Sequence, residues 1–208
     1  MAEPEKTAGE RLFQRESRFV AGAMEVDQLP PPGPVEIAFS GRSNVGKSSL
    51  LNALAGRRAL ARVAQKPGAT QQINFFDVAG RLVLVDLPGH GYAKVGRAKV
   101  KEWSVLIAAY IRGRPNLRRV LLLIDSRHGF KDDDRALMDL MDGAGLSYQV
   151  VMTKADKLQP AEIERNKIRF GAEIKKRPAA HPEIIVTSAE TRQGIDTLRE
   201  ELAALTEG

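Results

Sequence analysis

The strongest constraint on this chain is a glycine-rich loop that lies between an apolar run and a segment with helical spacing. Residues 41–48 read GRSNVGKS and match GxxxxGK[ST] at every fixed position. Residues 35–39 predict a strand and residues 48–55 a helix, which is the context that this phosphate-binding motif requires. In such a loop, backbone N–H groups and the N-terminus of the helix surround phosphate oxygens. We therefore expect Lys47 at the β- and γ-phosphates of a nucleotide and the Ser48 hydroxyl on Mg²⁺.

Strand and helix signals alternate along the chain. The predicted strands are 35–39, 73–78, 82–85, 118–125, 147–153 and 183–187, and the predicted helices are 48–55, 99–111, 131–141, one that begins at Pro160, and 194–205. This alternation predicts an α/β fold with right-handed crossovers, a mainly parallel sheet and helices on both faces. Ala79 and Gly80 give a hairpin signal between the second and third strands. The chain has 208 residues and no cysteine, which fits one domain and excludes disulfides and thiolate metal sites.

The first 34 residues differ from the rest because they are polar and end in the run LPPPGP at 29–34. Proline lacks a backbone donor and restricts the residue before it, so this end is expected to be extended. We predict a flexible N-terminal arm over 1–34 and a nucleotide-binding domain over 35–208. Residues 19–23 could form a short edge strand or dock as an apolar arm, and the second interpretation is favoured.

The phosphate motif alone does not separate ATPases, GTPases and kinases, but a later tetrapeptide does. Residues 153–156 read TKAD, end a predicted strand and resemble the guanine-reading motif [NT]KxD. The Asp156 carboxylate can accept hydrogen bonds from guanine N1–H and from the 2-amino group, whereas adenine offers neither donor. A site built on such pairing discriminates strongly between guanine and adenine. These residues therefore favour GTP as the ligand and argue against a nucleotide kinase.

Three further signals occur in the order expected of a GTPase. Residues 86–89 read DLPG and fit DxxG, in which the aspartate holds Mg²⁺ through water and the N–H of Gly89 faces the γ-phosphate. Ser188 and Ala189 follow the last predicted strand, where a backbone N–H contacts guanine O6. Thr70 precedes the second strand and is the expected second protein ligand of Mg²⁺.

These motifs and their flanks resemble the EngB family of bacterial P-loop GTPases over about residues 18–205. The resemblance rests on GRSNVGKSSLLNAL, KPGATQQINFF, DLPGHGYAKV, TKADK and TSAE, of which PGxTQxINFF is the most specific. It implies the three-layer P-loop NTPase fold of a Ras-like G domain, GTP and GDP binding with Mg²⁺, slow hydrolysis, and roles in large ribosomal subunit assembly, cell division and septation. The implied nucleotide contacts are Gly41, Arg42, Ser43, Asn44, Val45, Gly46, Lys47, Ser48, Gly68, Ala69, Thr70, Gln71, Gln72, Asp86, Leu87, Pro88, Gly89, Thr153, Lys154, Ala155, Asp156, Thr187, Ser188 and Ala189, with Ser48, Thr70 and Asp86 at Mg²⁺ and with Lys47, Thr70 and Gly89 in catalysis.

Two residues of the implied site call for separate hypotheses. Related GTPases with asparagine at the position of Asn44 use K⁺ near the phosphates, so we expect K⁺-stimulated hydrolysis. The alternative is that the asparagine only caps its own loop.

His90 follows DxxG, where the EngB family usually has an apolar or aromatic residue, and DLPGH resembles the DxPGH of translational GTPases. His90 either orients the attacking water when docked on RNA or makes a contact within the switch loop, and the second interpretation is favoured.

Basic residues cluster in two segments, which predicts a polyanionic partner. Segment 57–66 has four basic residues and no acid, and segment 92–119 has eight basic residues against Glu102. Such clustering is typical of nucleic-acid binding, although the same residues could be solvated helix faces whose stems cover apolar surface. We expect salt-sensitive contact with ribosomal RNA or the large subunit. The alternative is a GTPase switch that acts on a protein partner in cell division without RNA contact.

The sequence also sets expectations for location and for one acidic run. The densest apolar run, 120–124, is far shorter than the roughly 20 residues of a spanning helix, so we expect a cytoplasmic protein without a membrane partner. We also expect a monomer. We interpret the acidic run Asp132, Asp133 and Asp134 as a helix cap whose negative charges interact favourably with the helix dipole, in preference to a metal site.

Overall fold

The computed structural model describes residues 5–56, 72–90 and 97–207 of the chain. In these residues the helices are α1 (Ala8–Phe13), α2 (Lys47–Ala55), α3 (Arg97–Gly113), α4 (Asp132–Ala144), α5 (Pro160–Ile174) and α6 (Ile195–Ala204). The strands are β1 (Ser17–Ala23), β2 (Val35–Gly41), β3 (Ile73–Val78), β4 (Leu82–Asp86), β5 (Leu117–Asp125), β6 (Tyr148–Thr153) and β7 (Ile185–Val186). Each predicted helix and strand is present, although β7 is shorter than the predicted 183–187.

The strands form one sheet in the order β1-β3-β4-β2-β5-β6-β7. Strand β2 runs parallel to β4 and β5, and β5, β6 and β7 continue the parallel arrangement. Strands β3 and β4 form the predicted antiparallel hairpin, and β1 is antiparallel to β3. The carboxyl ends of the parallel strands therefore share one edge of the sheet, which is where open α/β sheets bind ligands.

Apolar side chains cover both faces of the sheet, because successive residues of a strand point to opposite sides. Leu122 of β5 lies in a buried cluster with Tyr110 and Met138 of α3 and α4. Its neighbour Leu121 lies in a second cluster with Leu51 of α2. The predicted three-layer α/β fold is confirmed. No helix in the described part of the chain is both long and apolar enough to cross a membrane.

The first 34 residues contain a helix and a strand that were not predicted as part of the fold. Helix α1 begins with a capping box and packs so closely on α6 that a Cβ on Gly9 would lie 2.7 Å from the backbone carbon of Arg199. Strand β1 pairs with β3 along its length. The interpretation of residues 19–23 as a docked arm is therefore wrong, since they form the edge strand. The domain boundary at residue 35 stays a prediction.

Candidate nucleotide-binding site

The phosphate-binding loop joins the carboxyl end of β2 to the start of α2. A Cβ on Gly41 would lie 2.8 Å from the carbonyl oxygen of Leu123 and 2.9 Å from Cγ1 of Val45, so a larger residue would displace its neighbours. Gly46 (φ 104°) and Asn44 (φ 62°) adopt left-handed conformations, which glycine and asparagine tolerate better than other residues. The first N–H groups of α2 have no intrahelical partner and are suited to bind an anion.

Two buried charged groups meet at the phosphate end of the site. Lys47 at the start of α2 forms an ion pair with Asp86 at the end of β4, and their side chains are 8% and 2% exposed. The partly buried Ser48 follows Lys47 directly. A hydroxyl and a carboxylate suit the preference of Mg²⁺ for hard oxygen donors and for a site that it shares with substrate phosphates. In the described residues, no three His, Cys, Asp or Glu side chains cluster as a metal site of their own.

The TKAD motif is fastened to the phosphate loop by hydrogen bonds. Thr153 Oγ1 donates to the carbonyl oxygen of Val45 at 2.7 Å. Lys154 Nζ donates to the carbonyl oxygen of Asn44 at 2.6 Å and lies 3.0 Å from Asp125 Oδ2. The segment predicted to read the base and the loop predicted to bind phosphates are therefore in direct contact, although they are far apart in sequence.

Asp156 presents an ionised carboxylate at the base end of the site. Ser188 Oγ donates to its Oδ1 at 2.6 Å, and Lys157 Nζ lies 2.9 Å from its Oδ2. These two contacts, that of Ser188 foremost, hold the pKa of Asp156 below its usual value. A carboxylate that is charged at neutral pH can accept the two hydrogen bonds that guanine donates.

A cavity of about 550 Å³ lies beside Asp156 and the TKAD motif. It is lined by Gly46, Ser49, Leu50, Asn52, Ala53, Gly56, Thr153, Lys154, Asp156, Lys157, Thr187, Ala189, Glu190 and Arg192. Its volume is in the range of small-molecule sites. The cavity brings the start of α2, TKAD and the loop after β7 together, and so unites three of the predicted motifs.

Asp125 belongs to this site although the sequence motifs did not single it out. Burial raises its pKa, but hydrogen bonds from Arg127 and Lys154 outweigh burial and lower the pKa below its usual range. The resulting carboxylate fixes Lys154 beside the phosphate loop. One signal could have found it, because Asp125 is the last residue of an apolar strand whose carboxyl end faces the site.

His90 lies between the phosphate loop and α4. Its backbone N–H donates to the carbonyl oxygen of Gly41 at 3.3 Å, and its own carbonyl oxygen accepts from the N–H of Ser43 at 3.1 Å. Its imidazole Nε2 lies 2.7 Å from Asp134 Oδ1. The imidazole therefore has a partner within the protein, which agrees with the favoured interpretation of a contact within the switch loop. A role of His90 in orienting water stays a prediction.

Asp134 serves as a cap, as predicted, and has a second partner that was not. Its Oδ2 accepts a hydrogen bond from the backbone N–H of Lys131 at 2.8 Å, which caps the start of α4. Its Oδ1 faces His90. Asp134 thus links α4 to His90, the residue that follows DxxG.

Some of the remaining predicted nucleotide contacts fall on described residues, and others lie outside them. Gln72 donates from Nε2 to Asn74 Oδ1 at 2.8 Å, at the start of β3. The N–H of Leu87 donates to the carbonyl oxygen of Phe39 at 3.0 Å, which keeps the DxxG segment beside β2. Gly68, Ala69, Thr70 and Gln71 lie outside the described residues, as does the basic segment 57–66.

Two arginines of the second basic segment are not part of a basic surface. The Arg114 side chain is only 6% exposed and pairs with Glu36. Arg119 is 14% exposed, and its Nη1 lies 3.5 Å from Glu201 Oε2 and donates to Gln149 Oε1. Arg114 and Arg119 therefore do not belong to the predicted basic surface, because their charges are paired within the fold. RNA contact through the rest of the segment stays a prediction. Arg112 is exposed, and the side chains of residues 92–104 lie outside the described part of the chain.

Comparison with known proteins identifies the family of this chain. A family model described as 50S ribosome-binding GTPase matches residues 36–154. The probable GTP-binding protein EngB of Granulibacter bethesdensis is 51% identical over 209 residues, which covers 99% of this chain and 94% of the relative. The chain belongs to the EngB family of GTP-binding proteins. The EngB relative from Rhodospirillum rubrum is 54% identical over 203 residues, covering 95% of this chain and 88% of the relative. As a member of the EngB family, the protein binds GTP and is a GTPase.

Solved structures share the fold. A probable GTP-binding protein engB superposes with a TM-score of 0.64 at 22% identity and covers 83% of this chain and 99% of that one. Aquifex aeolicus Era bound to GDP.AlF4⁻ gives a TM-score of 0.63 at 23% identity, covering 83% of this chain and 57% of that one. These likenesses support the Ras-like G-domain fold.

Proposed function

We propose that this GTPase is a nucleotide-gated factor in the assembly of the large ribosomal subunit and is needed for normal cell division and septation. The observation that carries the proposal is the match of residues 36–154 to a family described as 50S ribosome-binding GTPase. The excess of 32 Lys and Arg over 26 Asp and Glu supports a polyanionic partner. We propose that it acts in the cytoplasm as a monomer.

The residues of the site divide the work of hydrolysis. Lys47 holds β- and γ-phosphate oxygens, the N–H of Gly89 donates to the γ-phosphate, and Asp156 reads the base. Ser48, Thr70 and, through water, Asp86 would hold Mg²⁺, which when bound neutralises charge on the phosphate oxygens. Because no glutamine follows DxxG, we expect the protein alone to turn over slowly.

A role for K⁺ is a further part of the proposal. The left-handed φ of 62° at Asn44 gives a conformational reason for asparagine that is independent of any cation. The two explanations separate in a rate measurement. We expect GTP turnover to be faster in K⁺ than in Na⁺ buffer of equal ionic strength, and equal rates would leave only the conformational explanation.

Sedimentation with isolated ribosomal subunits tests the partner. We expect the protein to cosediment with the large subunit in one nucleotide state more than in the other, and to dissociate as salt rises, because contacts with phosphates release counterions. Arg112→Glu should weaken this binding. Arg165→Glu makes the same charge change on an exposed arginine of α5 and should not. Failure to cosediment with either GTP or GDP would contradict the proposal.

The inward position of two arginines favours a second candidate, a switch for a protein partner without RNA contact. Arg114 and Arg119 are lost from the basic surface, which weakens the argument for RNA. In that case, cosedimentation fails in both nucleotide states while GTP hydrolysis by the protein is normal.

A further inference from the structure

His90, directly after DxxG, is held in place by both its backbone and its side chain. The hydrogen bond from the Ser43 N–H to the carbonyl oxygen of His90 lays residues 89 and 90 against the phosphate loop. A Cβ on Gly89 would lie only 3.4 Å from the Ser43 nitrogen. The N–H of Ser43, in the loop predicted to bind phosphates, thus has a protein acceptor. It lies beside Gly89, whose own N–H is predicted to face the γ-phosphate.

The side chain of His90 anchors this arrangement to α4. Asp134 Oδ1 lies 2.7 Å from His90 Nε2, and the two side chains are 0% and 18% exposed. The other oxygen of Asp134 caps α4 by accepting from the N–H of Lys131, which favours the present position of the carboxylate. Displacement of His90 would therefore leave a fully buried carboxylate without this donor, which is costly.

From these contacts we infer that the pairing of His90 with Asp134 sets the preference of the site for GDP over GTP. The pair stabilises the arrangement in which residues 89 and 90 lie on the phosphate loop. GDP leaves that arrangement intact, whereas a γ-phosphate must displace it. A ligand shifts such an equilibrium only by its differential affinity for the two arrangements. A contact that stabilises residues 89 and 90 on the phosphate loop therefore lowers the affinity for GTP, which needs the displaced arrangement.

The test is the ratio of the dissociation constants for a non-hydrolysable GTP analogue and for GDP, measured by calorimetry on the full chain with Mg²⁺. His90→Ala and Asp134→Asn should each lower this ratio about tenfold, the factor expected of a hydrogen bond to a charged group. The double variant should lower it no further, because both changes remove the same interaction. His90→Gln keeps a donor and should stay closer to wild type than His90→Ala.

The control is Asp133→Asn, which makes the same charge change at an exposed neighbour in the first turn of α4 and should leave the ratio unchanged. Binding of GDP reports that each variant is folded, and His90→Ala supplies the result if Asp134→Asn does not fold. Ratios within twofold of wild type in folded variants would overturn the inference. So would a loss of GTP turnover with an unchanged ratio, since the pair would then act in hydrolysis. The inference rests on GTP binding alone, so it survives if no ribosomal partner is found.

Discussion

Strand β2 has a buried ion pair near each of its ends, and the two pairs are built differently. At the start of the strand, Glu36 pairs with Arg114, with side chains 2% and 6% exposed. Beyond its end, the phosphate loop leads into Lys47, which pairs with Asp86 at similarly low exposure. The two pairs are about equally buried, so burial alone does not distinguish their roles.

The Glu36 pair is surrounded by additional partners. Arg114 donates from Nε to Glu36 and from Nη1 to the carbonyl oxygen of Pro30, and Tyr110 donates its hydroxyl proton to Glu36 at 2.7 Å. The guanidinium also lies 5.6 Å from the ring centre of Phe75. These contacts join α3, the proline-rich segment and two strands, so the pair has a structural role.

The Lys47 pair consists of groups that have alternative ligands. The motifs assign Lys47 to phosphate oxygens and Asp86 to Mg²⁺, so each member can exchange its partner for part of the nucleotide complex. The chemistry of the available partners therefore separates a functional buried pair from a structural one, since a buried pair by itself is weak evidence for stability.

The largest effect is expected at the phosphate end. Lys47→Met should weaken GDP and GTP binding about a thousandfold, because charge-assisted hydrogen bonds to phosphates are lost. Saturating GDP should raise the melting temperature of wild type but not of this variant, since a ligand stabilises only a fold that binds it. Lys167→Met, at an exposed lysine of α5, is the control. If GDP still protects Lys47→Met, the functional assignment of this pair is wrong.

A smaller effect, on stability alone, is expected at the other end of β2. Arg114→Met should lower the free energy of unfolding by about 3 kcal/mol, because Glu36 is left buried without its cation. Urea denaturation measures this, with the exposed Arg112→Met as the control that should change little. GDP affinity of the folded variant should equal that of wild type. A thousandfold loss of GDP affinity here would erase the distinction between the two pairs.

The smallest effect is expected for the hydroxyl of Tyr110. Tyr110→Phe should cost about 1 kcal/mol of stability through one lost hydrogen bond. Burial, followed by the charge of Glu36, raises the pKa of Tyr110 well above its usual value. A raised pKa stabilises the fold below the pKa of the unfolded tyrosine, about 10, and this contribution is lost as pH rises further. Denaturation above that pH should show a steeper loss in wild type than in Tyr110→Phe, and parallel curves would contradict the assignment.

The sequence was most informative about residues whose role is local. The loop of residues 41–48 and the TKAD motif could be placed because strand–loop–helix patterns and fixed spacings reflect contacts within a few residues. Both lie at the carboxyl ends of parallel strands, so the alternation of strands and helices was enough to bring them to one edge of the sheet.

Pairs that join distant parts of the chain could not be predicted in this way. His90 and Asp134 are 44 residues apart, and Arg114 and Glu36 are 78 apart. A count of basic residues treats a buried arginine like an exposed one, so Arg114 was assigned to a surface that it does not reach. Strand β1 was considered over residues 19–23 but not favoured, because its sequence gives no clear alternation of apolar and polar residues and Phe19 is exposed.

Steady-state hydrolysis of GTP, ATP and xanthosine triphosphate tests most directly whether the carboxyl edge of this sheet selects guanine nucleotides through Asp156. Asp156→Asn replaces an acceptor by a group that can donate to the 2-oxo group of xanthine. We predict that wild type hydrolyses GTP and not ATP. The variant should lose about a thousandfold in kcat/KM for GTP and gain activity with xanthosine triphosphate. Unchanged GTP hydrolysis by Asp156→Asn, or equal use of ATP by wild type, would contradict the claim.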